Sequence, residues 1–307
     1  MRIKKRYIVL AVLFVGFIFL SRMDFLTMRD KPEEVMEEMK TLGVDDLSFQ
    51  SYEIAGREMH YMHTGKEGKP LLILIHGTPG SATVYNNYLA DSTLSTYFQM
   101  AAVDRPGLGY SSFGETERSL QLQSACIKPI IDRHPTDKVI ILGHSYGGPV
   151  VARMAMDYPG LIDGMVIVAG SVSPALEPRE WWRAPIDLPL VRQLLPPALR
   201  VSNQEIKALY DELMIMESES MWDKITCPTL VYQGTKDNLV PMGNAGYIDS
   251  MVTNSPMKDI VYIEEGDHFI LWSRMDEIVA STVDLLGYMM DSTETVDRDV
   301  EEVSVED

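Results

Sequence analysis

Cysteine is scarce: Cys126 and Cys227 are the two found in 307 residues. That supports neither a disulfide scaffold nor a cysteine-rich metal site, and the pair reads as small buried hydrophobes. Positive charge is short as well. Lys and Arg total 27 against 45 Asp and Glu, a net charge of −18, which argues against a nucleic-acid partner. Part of the acid is local. Residues 291–307 hold eight acids and one arginine, a net of −7 that leaves −11 for the rest. Histidine is limited to six positions, so the search for a catalytic base is short. The N-terminal apolar run, Tyr7 to Leu20, is also short at fourteen uncharged residues. As a helix it reaches about 21 Å, less than the roughly 30 Å hydrocarbon core of a bilayer.

Four cations, Arg2, Lys4, Lys5 and Arg6, precede that run, which is the layout of an export signal. A small-x-small cleavage site is missing: Phe19 stands two residues before Ser21, and no alanine falls between Ala11 and Ala55. Besides a buried core helix, two export readings stay open for residues 1–22. One is an uncleaved membrane anchor, lengthened by Arg22 snorkelling and by Phe25 and Leu26 in the interface. The other is a cleaved signal. Both place everything after Leu20 on the non-cytoplasmic side.

Apolar residues make up 46% of the chain, enough for one large α/β domain with an insertion. Residues 23–48 form a charged connector, with Val35, Met36, Met39 and Leu42 at helical spacing. Strand-like segments at 51–55 and 58–63, parted by Gly56-Arg57, suggest a hairpin. Apolar strands follow at 71–75, 98–103, 139–142, 164–169, 229–233 and 260–263. Helical stretches near 84–90, 120–134 and 275–286 alternate with them. That alternation predicts an eight-stranded, mostly parallel sheet with helices on both faces and ligands at the strands' carboxyl ends. Residues 171–226 break it. They carry six prolines and Trp181, Trp182 and Trp222, with short helices expected at 190–199 and 203–216. This is the expected cap, or lid, inserted after the sixth strand, with Trp181 and Trp182 as candidate substrate contacts. The core is then 49–170 with 227–288, followed by an acidic tail, 289–307, expected to be unstructured.

The chemistry centres on Val139-Ile140-Ile141-Leu142-Gly143-His144-Ser145-Tyr146-Gly147-Gly148. A buried strand runs into Gly-x-Ser-x-Gly and then into a helix, a turn that lifts Ser145 clear of the backbone. A serine hydroxyl needs a base. His76 and His134 end other elements, and His144 sits inside the turn with its side chain directed away from Ser145. His60 and His63, at an odd offset on one strand, face opposite sides and make a poor metal pair. His268, just past the last strand, is the candidate base. Asp237, past the strand before it, is the candidate acid. Its rival, Asp267, adjoins His268, and adjacent side chains diverge.

The order Ser145, Asp237, His268 resembles that of the α/β-hydrolase fold, in the group that includes carboxylesterases, lipases and haloperoxidase-like enzymes. The resemblance spans about residues 51–286. It is carried by His76-Gly77, Asp104-Arg105-Pro106-Gly107-Leu108-Gly109-Tyr110-Ser111, the Ser145 motif, Gly234 to Asp237, and Gly266 to His268. It implies an oxyanion hole from the Thr78 and Tyr146 backbone N–H groups, and a cap where residues 171–226 lie. Epoxide hydrolases and haloalkane dehalogenases resemble the chain nearby, but their nucleophile is an aspartate, and Ser145 departs from them. The expected activity is hydrolysis of a small acyl substrate, a carboxylic ester, through an acyl-enzyme, with no metal or organic cofactor required. Aminopeptidase, thioesterase and lipid acyl hydrolase activities on the same triad are alternatives, the first using Glu177, Glu180 and Asp187 to hold an amine. A non-catalytic binding protein is the reading from a different class.

Overall fold

The structure is a computed structural model that describes Lys5, Val12, Gly16, residues 27–178, 181, 183–186 and 188–303. The expected anchor or signal at 1–22 therefore lies almost wholly outside the described residues. Among those that are described, no helix is long and apolar enough to cross a membrane.

The connector forms helix α1 (Pro32–Thr41), whose Val35 and Met39 are buried. Eight strands follow: β1 (Ser48–Ile54), β2 (Arg57–Thr64), β3 (Leu71–Ile75), β4 (Gln99–Asp104), β5 (Val139–His144), β6 (Gly164–Val168), β7 (Thr229–Gly234) and β8 (Lys258–Ile263). They form one sheet in the order β1-β2-β4-β3-β5-β6-β7-β8. β2 is antiparallel to both its neighbours, and every other pair is parallel. The hairpin loop is Ala55-Gly56, one residue earlier than the sequence suggests. Both residues take positive φ, 51° and 74°, as a two-residue loop matching strand twist requires.

All five side chains of β3 are buried because each face of the sheet carries its own core. Leu71, Ile73 and Ile75 join Ile141, Met165 and Ile167 on one side. Leu72 and Leu74 join Ile140, Leu142, Val166 and Val168 on the other. Each such residue contributes roughly 1.5–3 kcal/mol of transfer free energy. The expected helix at 120–134 divides into α2 (Leu120–Ile127) and Pro129–Arg133, since Pro129 cannot donate within a helix interior. Helix α3 (Gly147–Asp157) covers the first face with Val150, Val151 and Met154.

The inserted segment differs from the two short helices expected near its end. Helical turns at Arg183–Ile186 and Pro189–Leu194 lead to α4 (Pro197–Ser218), 22 residues long. Pro196 and Pro197 set the boundary, because proline suits the first turn of a helix and no later one. The first turns of α4 pack Ala198 and Val201 on Leu108 and Phe113, while Leu209, Leu213 and Met216 enter the main core. Trp222, read as a cap aromatic, is core at 1% exposure.

The last helix, α5 (Met275–Val303), lays Ile278, Leu285 and Met289 on the second face. It continues through most of the segment expected to be unstructured. No Gly or Pro follows Gly287, so nothing in the sequence interrupts the backbone ladder.

Candidate active site

Ser145 stands between β5 and α3 with φ of +55°, a left-handed conformation that L-residues rarely hold without surrounding support. Backbone bonds hold it there. The Ser145 N–H donates to the Val168 carbonyl at 3.0 Å, and the Gly148 N–H to the Ser145 carbonyl at 2.9 Å. The turn must also pass close to β3, where a Cβ on residue 147 would collide with the Ile75 carbonyl oxygen.

Asp237 and His268 arrive on the loops after β7 and β8, at the same edge of the sheet. His268 Nδ1 lies 2.8 Å from Asp237 Oδ2, and its Nε2 lies 3.0 Å from Ser145 Oγ. Burial pushes the Asp237 carboxyl up. Hydrogen bonds from His268 and from the Val240 and Leu239 N–H groups outweigh it and hold the group below its usual value. An ionised carboxylate can only accept, so Nδ1 carries the histidine proton and Nε2 is left to accept from the serine hydroxyl. Asp267 is occupied elsewhere, its Oδ1 accepting from the Phe269 N–H at 2.8 Å.

His144 turns to the far side of the histidine. Its Nε2–H donates to the His268 carbonyl at 3.0 Å, and the two rings lie 4.9 Å apart. Burial lowers its pKa to about 4, so it is a neutral donor that braces the loop. The Gly77-Thr78 segment abuts Ser145: a Cβ on residue 77 would stand 2.9 Å from Ser145 Cβ and 3.4 Å from its Oγ. Tyr146 leads into α3 as its N-cap. Among the described residues, no backbone carbonyl accepts from the Thr78 or Tyr146 N–H.

Trp181 projects into solvent at 81% exposure, and Trp182 lies outside the described residues. His60 and His63 face apart: His60 Nδ1 bonds Asp104 Oδ2 at 2.8 Å, while His63 stacks on His134 at 4.1 Å. No cluster among the described residues could hold a metal ion. A cavity of about 660 Å³ lies between the connector and α4, lined by Arg29, Lys31, Tyr110 and Arg200 among others, and neither Ser145, Asp237 nor His268 lines it.

The sequence pattern of one family, described as the alpha/beta hydrolase fold, matches residues 70–190. The chain covers 94% of its own length, and 99% of the other chain, on the crystal structure of a membrane phospholipase A, with TM-score 0.63 and 19% identity. The chain has the α/β-hydrolase fold. Curated relatives of this α/β-hydrolase-fold chain are hydrolases by name. Epoxide hydrolase 4 of Mus musculus is 29% identical over 116 residues, 37% of this chain. The pimeloyl-[acyl-carrier protein] methyl ester esterase of Proteus mirabilis (strain HI4320) is 27% identical over 235 residues, 64% of this chain and 85% of that protein. The chain spans about a third of the mouse relative, 32% of its length.

One cluster in this α/β-hydrolase-fold site escapes a reading of the sequence by motif. Arg105 and Glu205 are both wholly buried and paired, Nη1 to Oε1, at 2.6 Å. Glu205 also accepts from the Thr78 hydroxyl at 2.5 Å. A signal for it exists. Ala198, Val201, Leu209, Leu213 and Met216 make the buried stripe of α4, and Glu205 falls within it at helical spacing. A charge in the middle of an apolar stripe requires a buried partner.

Proposed function

We propose that the chain is a serine hydrolase that cleaves carboxylic esters through an acyl-enzyme. The observation carrying this reading is the continuous relay Asp237–His268–Ser145, at 2.8 and 3.0 Å, ending on a serine held at φ +55°. In it, His268 Nε2 takes the hydroxyl proton as Ser145 Oγ attacks the ester carbonyl. Asp237 keeps the imidazole in the required tautomer and stabilises the imidazolium. The developing oxyanion is held by the Thr78 and Tyr146 N–H groups, which are free of backbone partners among the described residues and of which Tyr146 adds the positive end of α3. His268 returns the proton to the leaving alcohol, then activates the water that cleaves the acyl-enzyme.

Epoxide hydrolysis fits less well, since a serine stands where the resembling epoxide hydrolases carry an aspartate. The aminopeptidase reading loses support too: Glu177 already accepts from Ser171 Oγ at 2.6 Å, and Glu180 and Asp187 lie outside the described residues. For the N-terminal run we keep the reading of a membrane location, with the catalytic domain on the non-cytoplasmic side. The cations preceding Tyr7 support it.

A fluorophosphonate probe, which reacts with activated serines, tests the nucleophile. Labelling of the native chain and none of Ser145→Ala is the expected result. Ser145→Ala and His268→Ala should each lower hydrolysis of a short-chain p-nitrophenyl ester by about 10⁴-fold, without adding when combined. Substantial turnover by Ser145→Ala would remove the acyl-enzyme from consideration.

A further inference from the structure

We propose that Arg105 and Glu205 are a positioning pair that aims and polarises the Thr78 N–H, a role that rests on reading Thr78 as an oxyanion donor. All five guanidinium N–H groups of Arg105 are spent. Nε donates to the His76 carbonyl at 2.8 Å, Nη1 to Gln123 Oε1 at 2.9 Å and Glu205 Oε1 at 2.6 Å, and Nη2 to the Gly77 carbonyl at 2.9 Å and Glu205 Oε2 at 3.2 Å. The Gly77 carbonyl is the decisive acceptor. It belongs to the same peptide group as the Thr78 N–H, and that peptide is trans. In a planar trans peptide the N–H points opposite to the C=O. Gripping the carbonyl therefore fixes the direction of the donor.

The grip is doubled. His76 Nδ1–H also donates to the Gly77 carbonyl, at 2.7 Å, while His76 Nε2 accepts from the Arg105 N–H at 3.1 Å. Two donors on one carbonyl draw electron density through the peptide and make its N–H a stronger donor, as in any hydrogen-bond chain. Glu205 completes the frame from the cap side. It neutralises Arg105 in a site with no solvent, and its Oε2 takes the Thr78 hydroxyl. The Arg105 guanidinium also stacks 4.6 Å above the Tyr146 ring, so the residue bearing the second donor rests on the same cation. Helix α4, the oxyanion loop and the turn after Ser145 thus meet at one buried charge pair.

A merely structural pair and a positioning pair predict different outcomes when both charges are removed. The double variant Arg105→Met/Glu205→Leu deletes the buried charges together, a change that buried ion pairs often tolerate in stability. It leaves the His76 carbonyl and Gln123 Oε1 short of a donor, so it is expected to fold with a lowered Tm, while kcat on a p-nitrophenyl ester falls by about 10²-fold, the scale of impairing one oxyanion donor, with KM little changed. Affinity for a trifluoromethyl ketone, whose adduct carries the oxyanion, should fall in parallel with kcat. Thr78→Val, which removes only the hydroxyl bond to Glu205, should lower kcat by about tenfold, and Thr78→Ser should restore it. A folded double variant with native kcat would overturn the proposal. Should the double variant not fold, native kcat in Thr78→Val would overturn it. Ester turnover by Ser145→Ala is a separate result, one that removes the acyl-enzyme reading itself.

Discussion

Gly77→Ala isolates the spacing between the proposed oxyanion loop and Ser145, the proposed nucleophile. Gly77 does not lie in the left-handed region, so alanine brings no backbone strain and the effect is steric. The added Cβ would stand 2.9 Å from Ser145 Cβ and 3.3 Å from the His144 carbonyl oxygen. Carbon atoms rest at about 3.5–4.0 Å, so the loop and the serine must separate by roughly 0.6–1 Å. A displacement near 1 Å costs about 10²-fold in rate, about 2.7 kcal/mol of barrier. The neighbour cannot rotate aside, because Ser145 Cβ is fixed by the backbone bonds to Val168 and Gly148. Stopped-flow hydrolysis of a p-nitrophenyl ester gives kcat, and the fluorophosphonate labelling rate reads the same geometry independently. Both should fall together while KM changes little. Native values of both in a folded Gly77→Ala chain would refute the reasoning, since the close approach would then carry no catalytic weight.

The remaining expectations concern the acid, the buried histidine and the membrane. Asp237→Asn should lower kcat by about 10⁴-fold by removing the group that fixes the His268 tautomer, whereas Asp267→Asn, which loses only a turn bond, should keep most activity; the opposite ranking would assign the role to Asp267. His144 has a folded pKa of about 4 against an ordinary 6.5. Its neutral form therefore contributes fully above pH 6.5, and that contribution is lost as pH falls toward 4, because only the unfolded chain takes up the proton. The loss is about 3 kcal/mol, roughly 5–10 °C in Tm. His144→Gln should lose less Tm than the native chain between pH 7.5 and 4.5, and equal losses would show that His144 does not set the acid limit. Fractionation of the native producing cells, with N-terminal sequencing, should find full-length chain in the membrane fraction. A soluble chain that retains Met1 would contradict both export readings.

Ser145, His268 and Asp237, which the structure brings within hydrogen-bonding distance of one another, were legible as candidates because each sits on a short motif at a strand end, where local composition announces the turn. The sheet was legible for a similar reason: strands such as Leu71–Ile75 are buried on both faces, so their apolar character is continuous. Glu205 was hidden because its partner Arg105 is 100 residues away, and only the fold makes the stripe of α4 meet the end of β4. The helix boundaries inside the inserted segment were misplaced because Pro196 and Pro197 look alike in sequence, and only one of them starts the helix. The end of α5 is governed by the absence of an interrupting residue, which a reading of composition alone mistakes for lack of structure.

Helix α4 also limits what can move around the proposed site. Its first turns rest on Leu108 and Phe113, its middle is bolted by Glu205, and its last turns are part of the main core. It is a wall shared by the inserted segment and the core, and swinging it would expose a buried charge. Any opening that admits a substrate to the proposed site therefore leaves α4 in place. The Thr78 hydroxyl then keeps its bond to Glu205, and the proposed oxyanion site its shape, whichever substrate enters.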